Sequence, residues 1–361
     1  MPVQQSLISP TANPDLEKAL RERVERHAAI AGGLGELEPL AVRLGLVQNS
    51  LTPKFRDPLL ALFAADHGLV VDGIGHQWGR STREQAQMAL QGRLPLAAFA
   101  RLQGLQLSVI DCGVAENLTP HPRLLSRKIA HGTRNCRVGP AMSLEQAHAG
   151  VRVGMEIADK LAGNALVCAG MGQGSAESAA LVLSRLTDCP VRDFVVSGPD
   201  MRQEDLTHLL SVLSAAQTRH RDVQDPMEVL AAFGGYEMAV MVGAMLVAAS
   251  KRSLIIVDGI TACAALKLAA RIASPVTDYA VFCRSHAHRG LDEALAQFHA
   301  SALLELGMDS ADGTGAALAW PMIRSAAALL ADLHEGPGSP DFLNSSSLPT
   351  LHQALDNPLN L

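Results

Sequence analysis

A short apolar run that stops abruptly at a small or polar cluster, followed by a segment of helical spacing, recurs along this chain. Five such runs stand out: "LLALFA" ends at Asp66-His67-Gly68, "LQLSVI" at Asp111-Cys112-Gly113, "NALVC" in "AGMGQGSAES", "SLIIV" at Asp258-Gly259 and "YAVFC" in "RSHAHRG". A sixth, "DFVV", runs into Ser197-Gly198-Pro199. Runs with no polar alternation predict strands buried on both faces, and the helical segments between them predict crossovers. The fold class is therefore α/β, a parallel sheet with helices on both faces. Helix starts agree: Thr82 to Gln85 and Ser143 to Gln146 fit a capping box, and Asp225-Pro226-Met227-Glu228 combines a cap, a proline at the first helical position and an acid two residues later. Beyond this rhythm there is no internal repeat.

With 361 residues, 48% of them hydrophobic, the chain can build a sizeable core. Aromatics make up only 3%, so that core is aliphatic and rich in alanine, and it offers few platforms for stacking bases. A net charge of -6 argues against a nucleic-acid partner, which needs a basic face. Cysteines at 112, 136, 168, 189, 263 and 283 form no CxxC pair and read as reduced thiols. The opening "MPVQQSLISPTANP" lacks the basic and apolar regions of a signal peptide. The most apolar segment, "MAVMVGAMLVAAS", has 13 residues where a bilayer needs about 20, so it is expected to be a buried helix. These features predict a cytoplasmic protein with no membrane partner. Residues 1–45 and 322–361 are expected to form a small helical domain, with "GPGSPDFLNSSSLPT" as a loose tail, and 46–321 the α/β domain.

In open parallel sheets, ligands bind beyond the carboxyl ends of the strands, where loop amides and helix starts converge. That rule gathers Asp66, His67, the Gly170 to Ser175 loop, Asp258, Ser285 and His286 into one candidate site. "AGMGQGSAES" has the strand-loop-helix setting for an anion, but its glycine spacing fits neither the dinucleotide fingerprint nor a P-loop, and a simple tight turn fits equally well. Asp66-His67 reads either as a proton-transfer pair or as strand-end residues satisfied by backbone. His286 and His288 stand two apart with no partner at metal-ligand spacing, so loop residues lining a pocket are favoured and no metal is expected. In "DSADGTGAALA", Asp312 precedes Gly313-Thr314-Gly315 and a helical run, which makes it either a helix cap or a working acid.

Seven segments, in order, resemble the nicotinate-nucleotide:dimethylbenzimidazole phosphoribosyltransferase family of cobalamin lower-ligand synthesis. They are "GGLGELEPLAVRLG", "FAADHGLVVDGIG", "GTRNCRVGPAMSLEQA", "DPMEVLAAFGGYEMA", "VDGITACAAL", the "SH" at 285 and "DGTGAALA" at 312. The resemblance implies a Rossmann-like sheet with a small helical lobe made from both chain ends, a homodimer, and no metal or organic cofactor. It implies transfer of 5-phosphoribosyl from nicotinate mononucleotide to dimethylbenzimidazole or a related azole. Asp312 would be the general base, and Gln87, Gly172, Gly174, Ser175, Asp258, Ser285, His286, Gly313, Thr314 and Gly315, with Asp66 and His67, would bind substrate.

The sequence also departs from the family pattern. The family's base is a Glu, and Asp312 shortens its reach by about 1.5 Å. A second active-site Glu is Gly170 here, a phosphate-binding Lys corresponds to Leu209, and an Arg before the base to Asp309; Arg80, Arg202, Arg284 and Arg289 are the cations available to compensate. Two further readings stay open: a homologue that binds nucleotide or base with weak catalysis, or one acting on another base or a non-phosphorylated nucleoside.

Overall fold

The computed structural model describes residues 8–74, 79–197 and 201–331. Six strands form one sheet: β1 (Leu59–Ala65), β2 (Gln106–Gly113), β3 (Leu124–Ser126), β4 (Ala165–Met171), β5 (Leu254–Asp258) and β6 (Ala280–Cys283). Their order is β3-β2-β1-β4-β5-β6 and every pair is parallel. The winding reverses between β1 and β4, so loops diverge there and leave a crevice at the carboxyl end. Register puts Leu62, Ala169, Asp258 and Cys283 in one row across the sheet, so the residues that follow them share one rim.

The five principal apolar runs are all strands, and β1, β4, β5 and β6 are buried almost throughout. "DFVV" is not one. Its first two residues finish a short helix, Val191–Phe194, that follows Pro190, and Val195 and Val196 pair with no strand. The sixth strand is β3, only three residues long and partly exposed on the sheet edge, which is why it carries no apolar signature.

Two helices precede the sheet, α1 (Pro14–Ala31) and α2 (Leu37–Gln48); α3 (Thr82–Leu90) and α4 (Pro95–Gln103) join β1 to β2, and α5 (Leu144–Asp159) leads into β4. Between β4 and β5 come α6 (Ser175–Thr187), α7 (Val191–Phe194), α8 (Gln203–Arg219), α9 (Pro226–Phe233) and α10 (Tyr236–Ser250). After β5 come α11 (Ile260–Ile272), then α12 (Arg289–Ala296) and α13 (Thr314–Ala331) beyond β6. Capping fixes several starts: Ser143 and Gln146 form a full capping box, and the Asp225 side chain accepts from Met227 N and Glu228 N. The box at α3 is Ser81 with Glu84, one residue before the Thr82-Gln85 reading, because Ser81 holds the extended backbone that a cap requires.

Helices α10 and α11 lie on one face of the sheet, while α13, α4 and α2 cover the other. "MAVMVGAMLVAAS" is the buried helix α10, apolar all round because it is packed all round. It crosses α5 at van der Waals distance: a Cβ added to Gly154 would sit 1.9 Å from Val240 O, and one on Gly243 1.9 Å from Val151 O. An alanine- and glycine-rich core thus becomes close helix packing. Both chain ends meet where α1 and α2 pack on α13. The stretch "GPGSPDFLNSSSLPT" lies outside the described residues. All six cysteines are free, five of them buried and Cys189 half-buried. Among the described residues no helix is long and apolar enough to cross a membrane.

Candidate active site

Asp258 closes β5 and is fully buried. Its Oδ2 accepts from Ser285 Oγ at 2.8 Å, Gly313 N at 3.0 Å and Ala316 N at 2.8 Å. Ser285 Oγ in turn accepts from Gly315 N at 2.7 Å. The start of α13 is therefore capped from β5 and the loop after β6, and a negative charge sits where the helix dipole favours one. Residues 308–310 run antiparallel to 285–287, with Ala287 N donating to Met308 O and Ser310 N to Ser285 O. That pairing delivers Asp312 to the rim.

The Asp312 carboxyl lies against Gly259. A Cβ there would fall 2.0 Å from Asp312 Oδ2, and Gly259 has φ +92°, so both space and backbone require glycine. Burial, and then the charge of Asp258, push Asp312 well above the usual carboxylate range. Burial raises Asp258 as well, against the pull of Ala316 N, Ser285 and Gly313 N. With three donors on its Oδ2, Asp258 is the member that keeps the negative charge, and Asp312 takes the proton first.

Asp312 forms one wall of an open pocket of about 870 Å³, part of it shared with solvent. The Gly170 to Ser175 loop and the first turn of α6 through Glu177 also line it, with His286, His288 and Ser310 from the segments after β6 and Arg80 from the segment before α3. His286 Nδ1 contacts Asp309 Oδ1. His288 Nδ1 accepts from Leu291 N at 3.1 Å and caps α12; burial, with His286 and Arg284 nearby, holds its pKa down to about 3, so the ring is neutral.

Behind the loop is a second buried network. Glu237 Oε1, on the first turn of α10, meets His67 Nε2 at 2.8 Å and accepts from Ser175 Oγ at 2.9 Å, while Ser175 Oγ also lies 2.9 Å from Thr261 Oγ1. Burial opposes a charge on His67, yet Glu237, with smaller pulls from Asp66 and Glu177, keeps its pKa above the ordinary value. The network ties β1, α6, α10 and α11 together at one point.

The phosphoribosyltransferase family pattern matches residues 9–336. A protein of Cupriavidus taiwanensis named nicotinate-nucleotide–dimethylbenzimidazole phosphoribosyltransferase is 38% identical over 327 residues, covering 90% of this chain and 94% of that one. One of the same name from Variovorax paradoxus is 36% identical over 318 residues, covering 88% and 91%. The crystal structure of the Thermus thermophilus protein of that name superposes with a TM-score of 0.80 at 30% identity, over 88% of this chain and 96% of that one. This chain belongs to the phosphoribosyltransferase family.

Of the residues singled out from the sequence, Asp312, Gly172, Gly174, Ser175 and His286 line this pocket. Asp258, Ser285, Gly313, Thr314 and Gly315 are buried behind it, in the frame that holds α13. His67 is inside the Glu237 network, and Asp66 accepts from Thr82 Oγ1 and, at 2.7 Å, from Ala115 N. Gln87 is not among the lining residues; its amide donates to Thr119 Oγ1 at 3.2 Å, and Gln85 lines the pocket instead. The three departures from the family pattern also have physical settings. Gly170 faces Thr261, whose Cβ would be 2.7 Å from a Cβ at 170, so no larger side chain fits there. Leu209 is a buried residue of α8, and Asp309 pairs with His286.

Sequence reasoning missed Glu237, Glu177 and Thr261. For Glu237 a signal existed: one acid at the head of an otherwise apolar helix has to be paired or expensive.

Among the described residues no cluster of three or more metal-ligating side chains exists.

Proposed function

We propose that this protein transfers 5-phosphoribosyl from nicotinate mononucleotide to 5,6-dimethylbenzimidazole or a related azole, giving α-ribazole 5'-phosphate and nicotinate. The observation that carries this reading is that Asp312 lines one pocket together with the Gly170 to Ser175 loop and the first turn of α6, in a chain of this family. Asp312 takes the azole N–H proton as the other ring nitrogen attacks the anomeric carbon, and the glycosidic bond to nicotinate breaks with its electrons returning to the pyridinium ring. Attack from the opposite face inverts the anomeric centre. The ring leaves as a neutral pyridine nitrogen, so one base and accurate alignment are sufficient. Its raised pKa makes Asp312 a stronger base than an exposed carboxylate, available once the pH passes that value.

The same proposal includes a cytoplasmic homodimer with α1, α2 and the end of α13 as a helical lobe, and no organic cofactor or metal in the chemistry. The test is direct. Incubation with nicotinate mononucleotide and dimethylbenzimidazole should yield α-ribazole phosphate over many turnovers, and Asp312→Asn should form it about a hundredfold more slowly or worse. No product from the unaltered protein, or equal turnover in the variant, overturns the assignment.

A further inference from the structure

Glycines at 170, 172 and 174 leave the loop after β4 with little backbone preference of its own, so its shape has to be imposed by neighbours. Several impose it. A Cβ on Gly172 would fall 1.8 Å from Ala65 O, which shows how closely the loop lies on the end of β1. Gln173 N donates to Thr82 Oγ1 at 3.0 Å, and Gln173 O accepts from His67 N at 3.2 Å. The last tie is to a carboxylate: Ser175 Oγ donates to Glu237 Oε1 at 2.9 Å, and the same oxygen meets His67 Nε2 at 2.8 Å.

Glu237 does not itself line the pocket. It is fully buried at the head of α10, and its Oε2 has no hydrogen-bond partner among the described residues. A buried carboxylate is costly even when paired, and both contacts of this one go to residues that hold the loop. Proton directions follow from the side-chain chemistry. A carboxylate only accepts, and a serine hydroxyl has one proton to give. Ser175 gives it to Glu237, so in the 2.9 Å contact between Ser175 Oγ and Thr261 Oγ1 the threonine is the donor. Thr261, Ser175 and Glu237 form one chain that ends on the carboxylate, and Ser175 has no proton left for a ligand.

We propose that Glu237 is a positioning residue for phosphoribosyl transfer: through Ser175 and His67 it sets the place of the 172–175 loop relative to Asp312, and the Ser175 hydroxyl serves that tie instead of contacting substrate. This rests on the functional reading above. A misplacement of about 1 Å in such a loop lowers the rate by on the order of a hundredfold.

The experiment compares Glu237→Ala, Ser175→Ala and the double variant with the unaltered protein, using nicotinate mononucleotide and dimethylbenzimidazole and correcting for the folded fraction. Glu237→Ala should lower kcat/KM about 30- to 100-fold, and the double variant should be no more than about threefold worse, because both changes cut the same tie. Losses that multiply, or a Glu237→Ala rate within about threefold of the original, overturn the proposal. Should Glu237→Ala not fold, Thr261→Val cuts the far end of the chain without touching a charge. It should lower kcat/KM at least about threefold in the unaltered background and not at all in Ser175→Ala, and equal losses in both overturn the proposal. Amide hydrogen exchange reads the loop with no reaction: in Ser175→Ala, residues 170–177 should exchange about tenfold faster or more relative to β5, which reports global opening. A loop whose exchange merely follows β5 rejects the tie. If the unaltered protein forms no product, the functional reading fails by itself, and the exchange result alone decides whether the Glu237–Ser175 tie holds the loop.

Discussion

Asp258 accepts three hydrogen bonds on one carboxylate oxygen, while the Asp312 carboxyl, packed against Gly259 beside it, accepts none from the described residues. Two neighbouring acids in such unequal settings do not ionise together. The charge remains with Asp258, held at the head of α13, and Asp312 becomes the stronger base.

That inequality predicts the pH dependence of the reaction. Asp312 binds its proton up to a pH well above the ordinary carboxylate range, so kcat should climb with pH through a limb displaced to the alkaline side of a normal Asp. Asp258→Asn leaves an acceptor oxygen for Ser285, Gly313 N and Ala316 N but removes the charge, and the limb should move to lower pH. Asp312→Asn should lower kcat by about a hundredfold or more on the alkaline side of that limb, with the gap closing at lower pH as Asp312 of the unaltered protein takes up its proton. A pH–rate series on the three proteins checks this; an unmoved limb in Asp258→Asn would show that the two acids are not linked.

Gly259→Ala should separate activity from stability. The added methyl falls 2.0 Å from Asp312 Oδ2, so the carboxyl must shift, and a displacement of about 1 Å costs on the order of a hundredfold in rate. The strain of φ +92° adds a stability loss of about 1–2 kcal/mol. Steady-state kinetics with thermal melting should show the rate falling far more than the stability explains.

How much of this was legible in the sequence follows from range. The strands "LLALFA", "NALVC" and "SLIIV" announce themselves because burial on both faces leaves no polar residue in them, and caps such as Ser143 and Asp225 act within three residues. "DFVV" misled because proline at 190 precedes a short helix whose apolar residues satisfy a strand pattern equally well. Within the site, Ser175 and His286 follow from the rule that loops at strand ends line the pocket, whereas Asp312 stands out by its Gly-Thr-Gly setting and the family resemblance. The Gly170–Thr261 and Ser175–Glu237 contacts join residues 91 and 62 positions apart, and only the folded chain reveals that one side chain fills the room another would need.

Ser285→Ala tests the frame behind the pocket. The hydroxyl is a donor to Asp258 and an acceptor for Gly315 N, both buried, so its loss leaves two polar groups short of a partner. Asp258 Oδ2 keeps Gly313 N and Ala316 N, so Gly315 N is the one group orphaned, at about 1–3 kcal/mol. Urea denaturation should show a loss in that range for the variant, and turnover should fall as well, because α13 carries Asp312 at its entrance. Stability equal to that of the unaltered protein would mean that water reaches this frame.

Glu237→Gln tests the buried His67 pair through pH. His67 has a raised pKa in the fold, against about 6.5 unfolded, so the native state holds a proton that the unfolded chain releases first as pH rises. The stabilisation from this pair is therefore complete below about pH 6.5 and disappears as pH climbs through the folded value. Glutamine preserves the shape and an acceptor for Ser175 Oγ but removes the charge that favours imidazolium. The variant should be less stable than the unaltered protein by about 1.5–3 kcal/mol near pH 6, the range for a hydrogen bond to a charged group. Toward pH 9, as His67 gives up its proton in the unaltered protein, the gap should narrow. Urea melts at the two pH values measure it, and a gap of the same size at both would show that His67 is neutral in the fold and that Glu237 serves only as a hydrogen-bond acceptor.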